Sequence, residues 1–290
     1  MKKITVISGK GGTGKTTLVS NLAYLAEDLV LADCDVDAPN LHLLLNPEVE
    51  ETNIFKSNKL AIKDESKCID CGICNEVCRF NAVSPVNYEI DPYKCEGCGV
   101  CVEMCPENAL SLKLMETGEI YNSTTRFGPM VHANLKVGSD NSGKLVSEVR
   151  EKAVEKGNKI DKDLLLIDGS PGIGCPVISS ITGVDLVLFV TEPSRSGFSD
   201  LKRVAQVIEH FEIPALAVIN KYDINKDISQ EIVEYLKENE IELVGKISYS
   251  SLVVENLRNA ELVVEQENKS KVSQEIINIW EKIKTNIEVI

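Results

Sequence analysis

The sequence predicts an α/β fold on a mostly parallel sheet, interrupted by an inserted cysteine-rich module. Three observations carry this. Short apolar runs, "KKITVIS", "LVLAD", "LLLID", "DLVLFV", "ALAVIN" and "ELVGKI", recur along the chain. Their near-continuous apolar character means that both faces of each strand are covered, as in a parallel sheet. A glycine-rich loop, "GKGGTGKTT", lies between the first run and a helical stretch. Finally, the alternation breaks over residues 58–117, and eight of the ten cysteines fall within 68–105.

The elements follow in order. "KKITVIS" is a strand ending at the loop, and Leu18, Leu22, Leu25 and Ala26 give the next stretch helical spacing. "LVLAD" is a second strand, closing a βαβ beginning and leading into "DCDVDAPN". After the cysteine-rich stretch, "GEIYNSTTRFGPMVHANLKVG" alternates as a strand pair. Ser142 as N-cap, apolar Leu145, Val146, Val149 and Ala153, and terminal Gly157 predict a helix. Further helices are expected over 199–211, 229–239 and 271–287. The organisation predicted is a nucleotide-type domain over 1–57 and 118–290, with an insert over 58–117.

With 290 residues, 43% of them hydrophobic and 26% charged, the chain can bury a full core. No apolar run is long enough to span a bilayer, and the apolar start turns polar at Ser8, too soon for a signal peptide. A cytoplasmic location without membrane attachment is the expectation. The formal net charge of −14 opposes a phosphate-neutralising face, so nucleic acid is not an expected partner.

The loop matches G-x-x-x-x-G-K-[ST] at Gly9, Gly14, Lys15 and Thr16. Its backbone, from Gly9 through Lys10, Gly11, Gly12, Thr13 and Gly14 to Thr17, can approach phosphate oxygens. The helix start adds partial positive charge. Lys15 is expected to reach the β- and γ-phosphates and Thr16 to hold Mg²⁺. "LLLIDGSPG" delivers Asp168 to a strand tip, where a carboxylate can hold a Mg²⁺-bound water. Asp33, Asp35 and Asp37 crowd the end of the second strand.

"KGGTGKT" resembles the deviant phosphate loop of the MinD/ParA class, which includes the nitrogenase iron protein and the Mrp scaffold proteins. The resemblance covers about 1–57 and 118–290. It implies a MinD-like ATP switch. Lys10 would act in trans across a nucleotide-sandwiched dimer, either a homodimer or a heterodimer with a homologous ATPase. Asp35 would orient the attacking water, with Asp33 and Asp37 as competitors, and Asn220 in "VINKYD" would read the adenine edge. The N-K-x-D form also resembles a guanine-binding motif, but the loop and switches favour ATP and ADP.

Each cysteine comb reads C-x₂-C-x₂-C-x₃-C, and the second repeats the first 27 residues later. In a cytoplasmic chain such clusters point to metal. The spacing resembles two-cluster bacterial ferredoxins, in which thiolates hold [4Fe–4S] clusters and the fourth cysteine of each comb serves the other cluster. That resemblance assigns Cys68, Cys71, Cys74 and Cys105 to one cluster and Cys95, Cys98, Cys101 and Cys78 to the second. Zinc is the alternative, disfavoured by the duplication and by Pro106. Arg79 departs from the pattern, standing where proline is usual. Gly72 and Gly99 would let backbone amides approach sulfur.

Cys34 is expected to be a buried small residue. Cys175 lies where the nitrogenase iron protein has a bridging ligand, but a structural thiol is the stronger reading. His42, His132 and His210 form no visible constellation. The C-terminal helix, with Ile276, Ile279, Trp280, Ile283 and Ile287 on one side, is expected to pack on the sheet and not on a membrane.

The reading that follows is an ATP-hydrolysing iron–sulfur protein with two [4Fe–4S] clusters, ATP and Mg²⁺ as cofactors. It would couple the switch to electron transfer toward a partner metalloprotein or a metallocofactor-assembly protein. A cluster carrier of Mrp type is the alternative, and a spatial regulator of ParA/MinD type is a weaker one.

Overall fold

The computed structural model describes residues 1–139, 142–266 and 270–289. The elements run β1 (Lys2–Ser8), α1 (Lys15–Leu25), β2 (Leu29–Asp33), α2 (Leu41–Leu45), β3 (Glu48–Lys63), α3 (Ile73–Glu76), α4 (Val100–Glu103), β4 (Leu110–Thr125), β5 (Gly128–Leu135) and α5 (Ser142–Lys159). Then come β6 (Leu164–Pro171), α6 (Cys175–Ile181), β7 (Leu186–Thr191), α7 (Arg195–His210), β8 (Ala215–Asn220), α8 (Lys226–Glu238), β9 (Glu242–Ile247), α9 (Ser251–Arg258) and α10 (Lys271–Val289). The sheet order is β3-β4-β5-β2-β6-β1-β7-β8-β9. Pairing is parallel from β5 through β2, β6, β1, β7 and β8 to β9. This is a mostly parallel α/β sheet.

The apolar runs become the central strands because they are wet on neither face. Val6, Leu31, Leu166, Val187 and Val218 are all fully buried. α1 and α10 cover one side through Leu18, Leu22, Ile276, Ile279 and Ile283. Trp280 joins them, so α10 packs on the sheet as its apolar stripe requires. Gly245 in β9 allows this approach, since a Cβ there would lie 2.3 Å from Ile279 Cγ1. Among the described residues, no helix is long and apolar enough to cross a membrane.

Some expectations shift. α7 and α8 start earlier than the apolar spacing suggested. Ser194 caps α7 by accepting from Gly197 N–H at 3.0 Å, and Asn225 caps α8 by accepting from Ile228 N–H at 3.1 Å. α5 begins at Ser142 itself, and the position before it lies outside the described residues. The residues called strand-poor contain the far ends of β3 and β4, each 16 residues long. β3 keeps only Phe55 and Ala61 buried, so its alternation is nearly invisible in sequence.

The chain divides into two compact units. One comprises 1–52, 120–134 and 142–290, and the other 53–119 and 135–141. In the second, the duplication extends to the backbone. Asp70 and Gly97, Gly72 and Gly99, and Asn81 and Asn108 all take left-handed φ at the same offset. The Lys67–Asp64 and Lys94–Asp91 ion pairs repeat too, at 3.5 and 3.4 Å.

Candidate functional site

In the first unit, sheet register builds the site. Asp33 on β2 lies opposite Asp168 on β6 in a parallel pair, so two carboxylates meet at the carboxyl ends of the strands. Both are fully buried. Charge at such a place must be compensated, and Lys15 compensates it. Its ammonium, also buried, pairs with Asp168 Oδ1 and lies 3.9 Å from Asp35 Oδ2. Burial pulls the Lys15 pKa down, but Asp168, Asp33 and Asp35 overcome this and raise it.

The carboxylates divide by environment. Asp33 is pushed up to about 8 by burial and by Asp168, against the pull of Lys15. Its oxygens accept from Asp35 N–H at 3.1 Å and Leu41 N–H at 3.2 Å, which ties the acidic loop to α2. Asp35 is only partly exposed and is pushed up to about 6, mainly by burial. Asp168 Oδ2 is buried without a hydrogen-bond partner, as is Thr13 Oγ1 in the loop. An orphaned buried carboxylate oxygen fits a Mg²⁺-bound water, and Thr16 stands at the second position of α1.

The glycines of the loop answer to packing. Gly14 has φ 90° and caps α1, and a Cβ there would lie 2.2 Å from Asn220 Nδ2. A Cβ at Gly9 would lie 2.2 Å from Asp200 Cβ. Asn220, at the tip of β8, donates to Thr13 O at 2.7 Å, and Lys221 Nζ donates to Gly12 O at 3.2 Å. Lys10 is held within its own chain, 2.7 Å from Glu192 Oε1 and 2.9 Å from Ser196 Oγ. Burial pushes the Glu192 carboxyl up, but Lys10 and Lys221 prevail and hold it below its ordinary value.

A cavity of about 210 Å³ opens beside the loop. Gly12, Thr17 and Asn220 line it, with Tyr249, Val253 and Leu257 opposite. The sequence reading missed the 247–257 side. It has no motif, and its one signal was the apolar spacing of Val253, Val254 and Leu257 on α9. Asp223 of the N-K-x-D stretch is not on the cavity wall. Its carboxylate accepts from Tyr249 N–H at 2.7 Å.

In the second unit, the eight comb cysteines line two cavities. One carries Cys68, Cys71, Cys74 and Cys105. The other carries Cys78, Cys95, Cys98 and Cys101. Three cysteines of each comb therefore share a wall with the last cysteine of the other comb. Ala82 N–H donates to Cys78 Sγ at 3.4 Å and Ala109 N–H to Cys105 Sγ at 3.3 Å, again 27 residues apart. Burial pushes the Cys74 thiol up, and raises Cys101 to about 11. Among the described residues, no three His, Cys, Asp or Glu side chains converge on a single metal ion.

Cys34 is fully buried, and burial pushes its thiol up. Cys175 is exposed at the first position of α6. The histidines are not all separate, contrary to expectation. His42 and His132 stack with ring centroids 6.0 Å apart, and Tyr121 stacks on His132 at 5.0 Å. Register explains it, because His132 on β5 lies opposite Asp33, the strand end that α2 closes over. Burial and His42 lower His132 to about 4, so it packs there neutral.

Residues 4–263 match the CobQ/CobB/MinD/ParA nucleotide binding domain family. An uncharacterized protein of Methanocaldococcus jannaschii, MJ0578, is 35% identical over 97% of this chain and 96% of its own length. An iron–sulfur cluster carrier protein of Pyrococcus horikoshii is 23% identical over 75% of this chain and 60% of its own. Among solved structures, the septum site-determining protein MinD of P. horikoshii with Mg-ADP aligns at TM-score 0.61 and 18% identity, covering 99% of this chain and 98% of that one. The chain belongs to the CobQ/CobB/MinD/ParA family of nucleotide-binding P-loop ATPases.

Proposed function

We propose that this member of the family couples an ATP switch in one unit to two [4Fe–4S] clusters in the other, and passes electrons to a partner metalloprotein or to metallocofactor assembly. One observation carries the reading. Each cysteine-lined cavity gathers three closely spaced thiols of one comb and the fourth of the other, the donor set of a two-cluster ferredoxin. Bound clusters would supply one-electron chemistry at low potential.

On the nucleotide side, the loop amides and Lys15 bind the phosphates. Lys15 must then exchange Asp168 for phosphate, which frees Asp168 and Thr16 to hold Mg²⁺. Asp35, ionised above about pH 6, orients the attacking water. Lys10 leaves Glu192 and reaches the phosphates of a second subunit, identical or homologous. The engagement of Asp223 by Tyr249 N–H, away from the cavity wall, supports ATP over GTP.

The test is anaerobic reconstitution followed by iron and sulfide counts and potentiometry with and without MgATP. Eight iron and eight sulfide per chain are expected for two cubanes. By linkage, nucleotide that binds the redox states unequally must move the potential, and tenfold unequal binding is about 59 mV, or about 1.4 kcal/mol, for one electron. An unmoved potential would favour the carrier reading, which the P. horikoshii relative supports. Cluster transfer to an apo-ferredoxin would then be the deciding assay.

A further inference from the structure

The two cavities are related by the 27-residue duplication, so unlike residues at like positions report what each has specialised for. Lys63 lines the cavity of Cys68, Cys71, Cys74 and Cys105, while Ile90, 27 residues later, lines the other. Tyr88 lines the first, and Ala61, 27 residues earlier, lines the second. The same contrast appears over the comb turns. A Cβ on Gly72 would meet Tyr88 Oη at 3.3 Å, but a Cβ on Gly99 would meet Leu112 Cδ1 at 3.4 Å. A hydroxyl covers one turn and a methyl group the other.

Two effects set the potential of such a cluster beyond its type: nearby charge, and hydrogen bonds to sulfur. Lys63 adds positive charge with its side chain only 8% exposed, held by Asn87 O at 2.8 Å and Glu65 Oε2 at 3.0 Å. Glu65, 73% exposed, pairs with Lys63 but does not line the cavity, so of the two it is Lys63 that stands on the cavity wall. Asp70 and Glu107 on the first cavity and Glu96 on the second are exposed, so water screens their charges. Tyr88 brings an O–H to the wall of the first cavity, while the corresponding places in the second are apolar.

We propose that the two cavities hold clusters of unequal reduction potential, and that Lys63 and Tyr88 make the cavity of Cys68, Cys71, Cys74 and Cys105 the higher-potential site, where a single electron comes to rest. This rests on the cluster reading above. The step is a one-electron exchange. A cluster held by Cys78, Cys95, Cys98 and Cys101 would lose one electron as one held by Cys68, Cys71, Cys74 and Cys105 gained it, with no bond made or broken and no proton required. An external one-electron reductant would then refill the site among Cys78, Cys95, Cys98 and Cys101, and only then would the chain hold two electrons. Lys63 and Tyr88 act here as positioning residues, through the field and the hydrogen bond they present.

The experiment is potentiometric titration of the reconstituted full chain with dithionite, followed by electron paramagnetic resonance. Two separate one-electron waves are expected. Lys63→Ile with Tyr88→Phe should lower the upper wave so that the reduced-to-oxidised ratio at fixed potential falls at least tenfold, about 59 mV, leaving the lower wave in place. The reciprocal Ile90→Lys should raise the lower wave and narrow the gap, which keeps the test open if the double variant fails to load iron. Coincident waves in the parent protein, or variants that move neither wave, overturn the assignment while leaving the clusters intact. Failure of the parent chain to take up iron overturns the cluster reading itself.

Discussion

The two units solve opposite problems. The nucleotide unit buries charge and balances it internally: Lys15 against Asp168, with Asp33 and Asp35 close by. Around that group it has a large apolar core. Among its described residues the cysteine unit buries almost nothing large, only Phe55, Ala61, Ala82, Val83, Ala109 and Leu110 of its hydrophobic side chains. A unit so poor in apolar core needs cross-links, commonly metal, to be stable. One unit thus has a large apolar core around a balanced charge group, while on the proposed reading the other would depend on what its thiols bind.

The sharpest way to break this contrast is Lys15→Ala. Hydrolysis, read as phosphate release, should fall by about 10²–10³-fold, the usual cost of removing a charge-stabilising donor. The fold should lose about 3–5 kcal/mol as well, because buried carboxylates are left without their cation. The iron content of the cysteine unit should not change. Equal loss of iron would mean that the two units are not separately stable.

The complementary change is Cys101→Ser. Iron should fall from about eight toward about four per chain, and hydrogen exchange should rise across 53–119. Nucleotide affinity should hold. A cysteine unit still fully protected after loss of iron would show that its small apolar core suffices.

How far the sequence revealed each unit follows from the same contrast. The strand tips that carry Asp33, Asp168 and Asn220 were legible because fully buried parallel strands read as unbroken apolar runs. The combs were legible because one cysteine spacing repeats 27 residues later. β3 was not, since a strand with only two buried side chains shows no period. The His42–His132 stack was not, since it depends on β5 pairing with β2 across most of the insert. The 247–257 wall of the cavity lacked any motif, because an apolar wall constrains size more than residue type.

A smaller effect sharpens the account of the buried charges. Asp33 binds its proton more tightly folded, at about 8, than at its ordinary value of 3.8. Between about pH 4 and about pH 8 the folded state therefore holds more protons than the unfolded one, and this group makes stability fall as pH rises. The penalty is absent below that window and complete above it. Asp33→Asn should flatten this part of the stability–pH curve, measured by denaturant titration at several pH values. An unchanged slope would place the proton on another carboxylate of the group.

The smallest effect concerns the base. If Asp223 read guanine, as N-K-x-D suggests, Asp223→Ala would shift the ratio of ATP to GTP affinity at least tenfold, since lost polar recognition of a base edge is worth about 1–3 kcal/mol. Its carboxylate instead accepts from Tyr249 N–H at 2.7 Å and fastens the segment after β9. The expected result is an unchanged ratio in competition binding, with a slightly lower melting temperature from one lost hydrogen bond of about 1 kcal/mol. A changed ratio would return Asp223 to the nucleoside and make the purine, not the loop, the point on which this chain departs from an ATP switch.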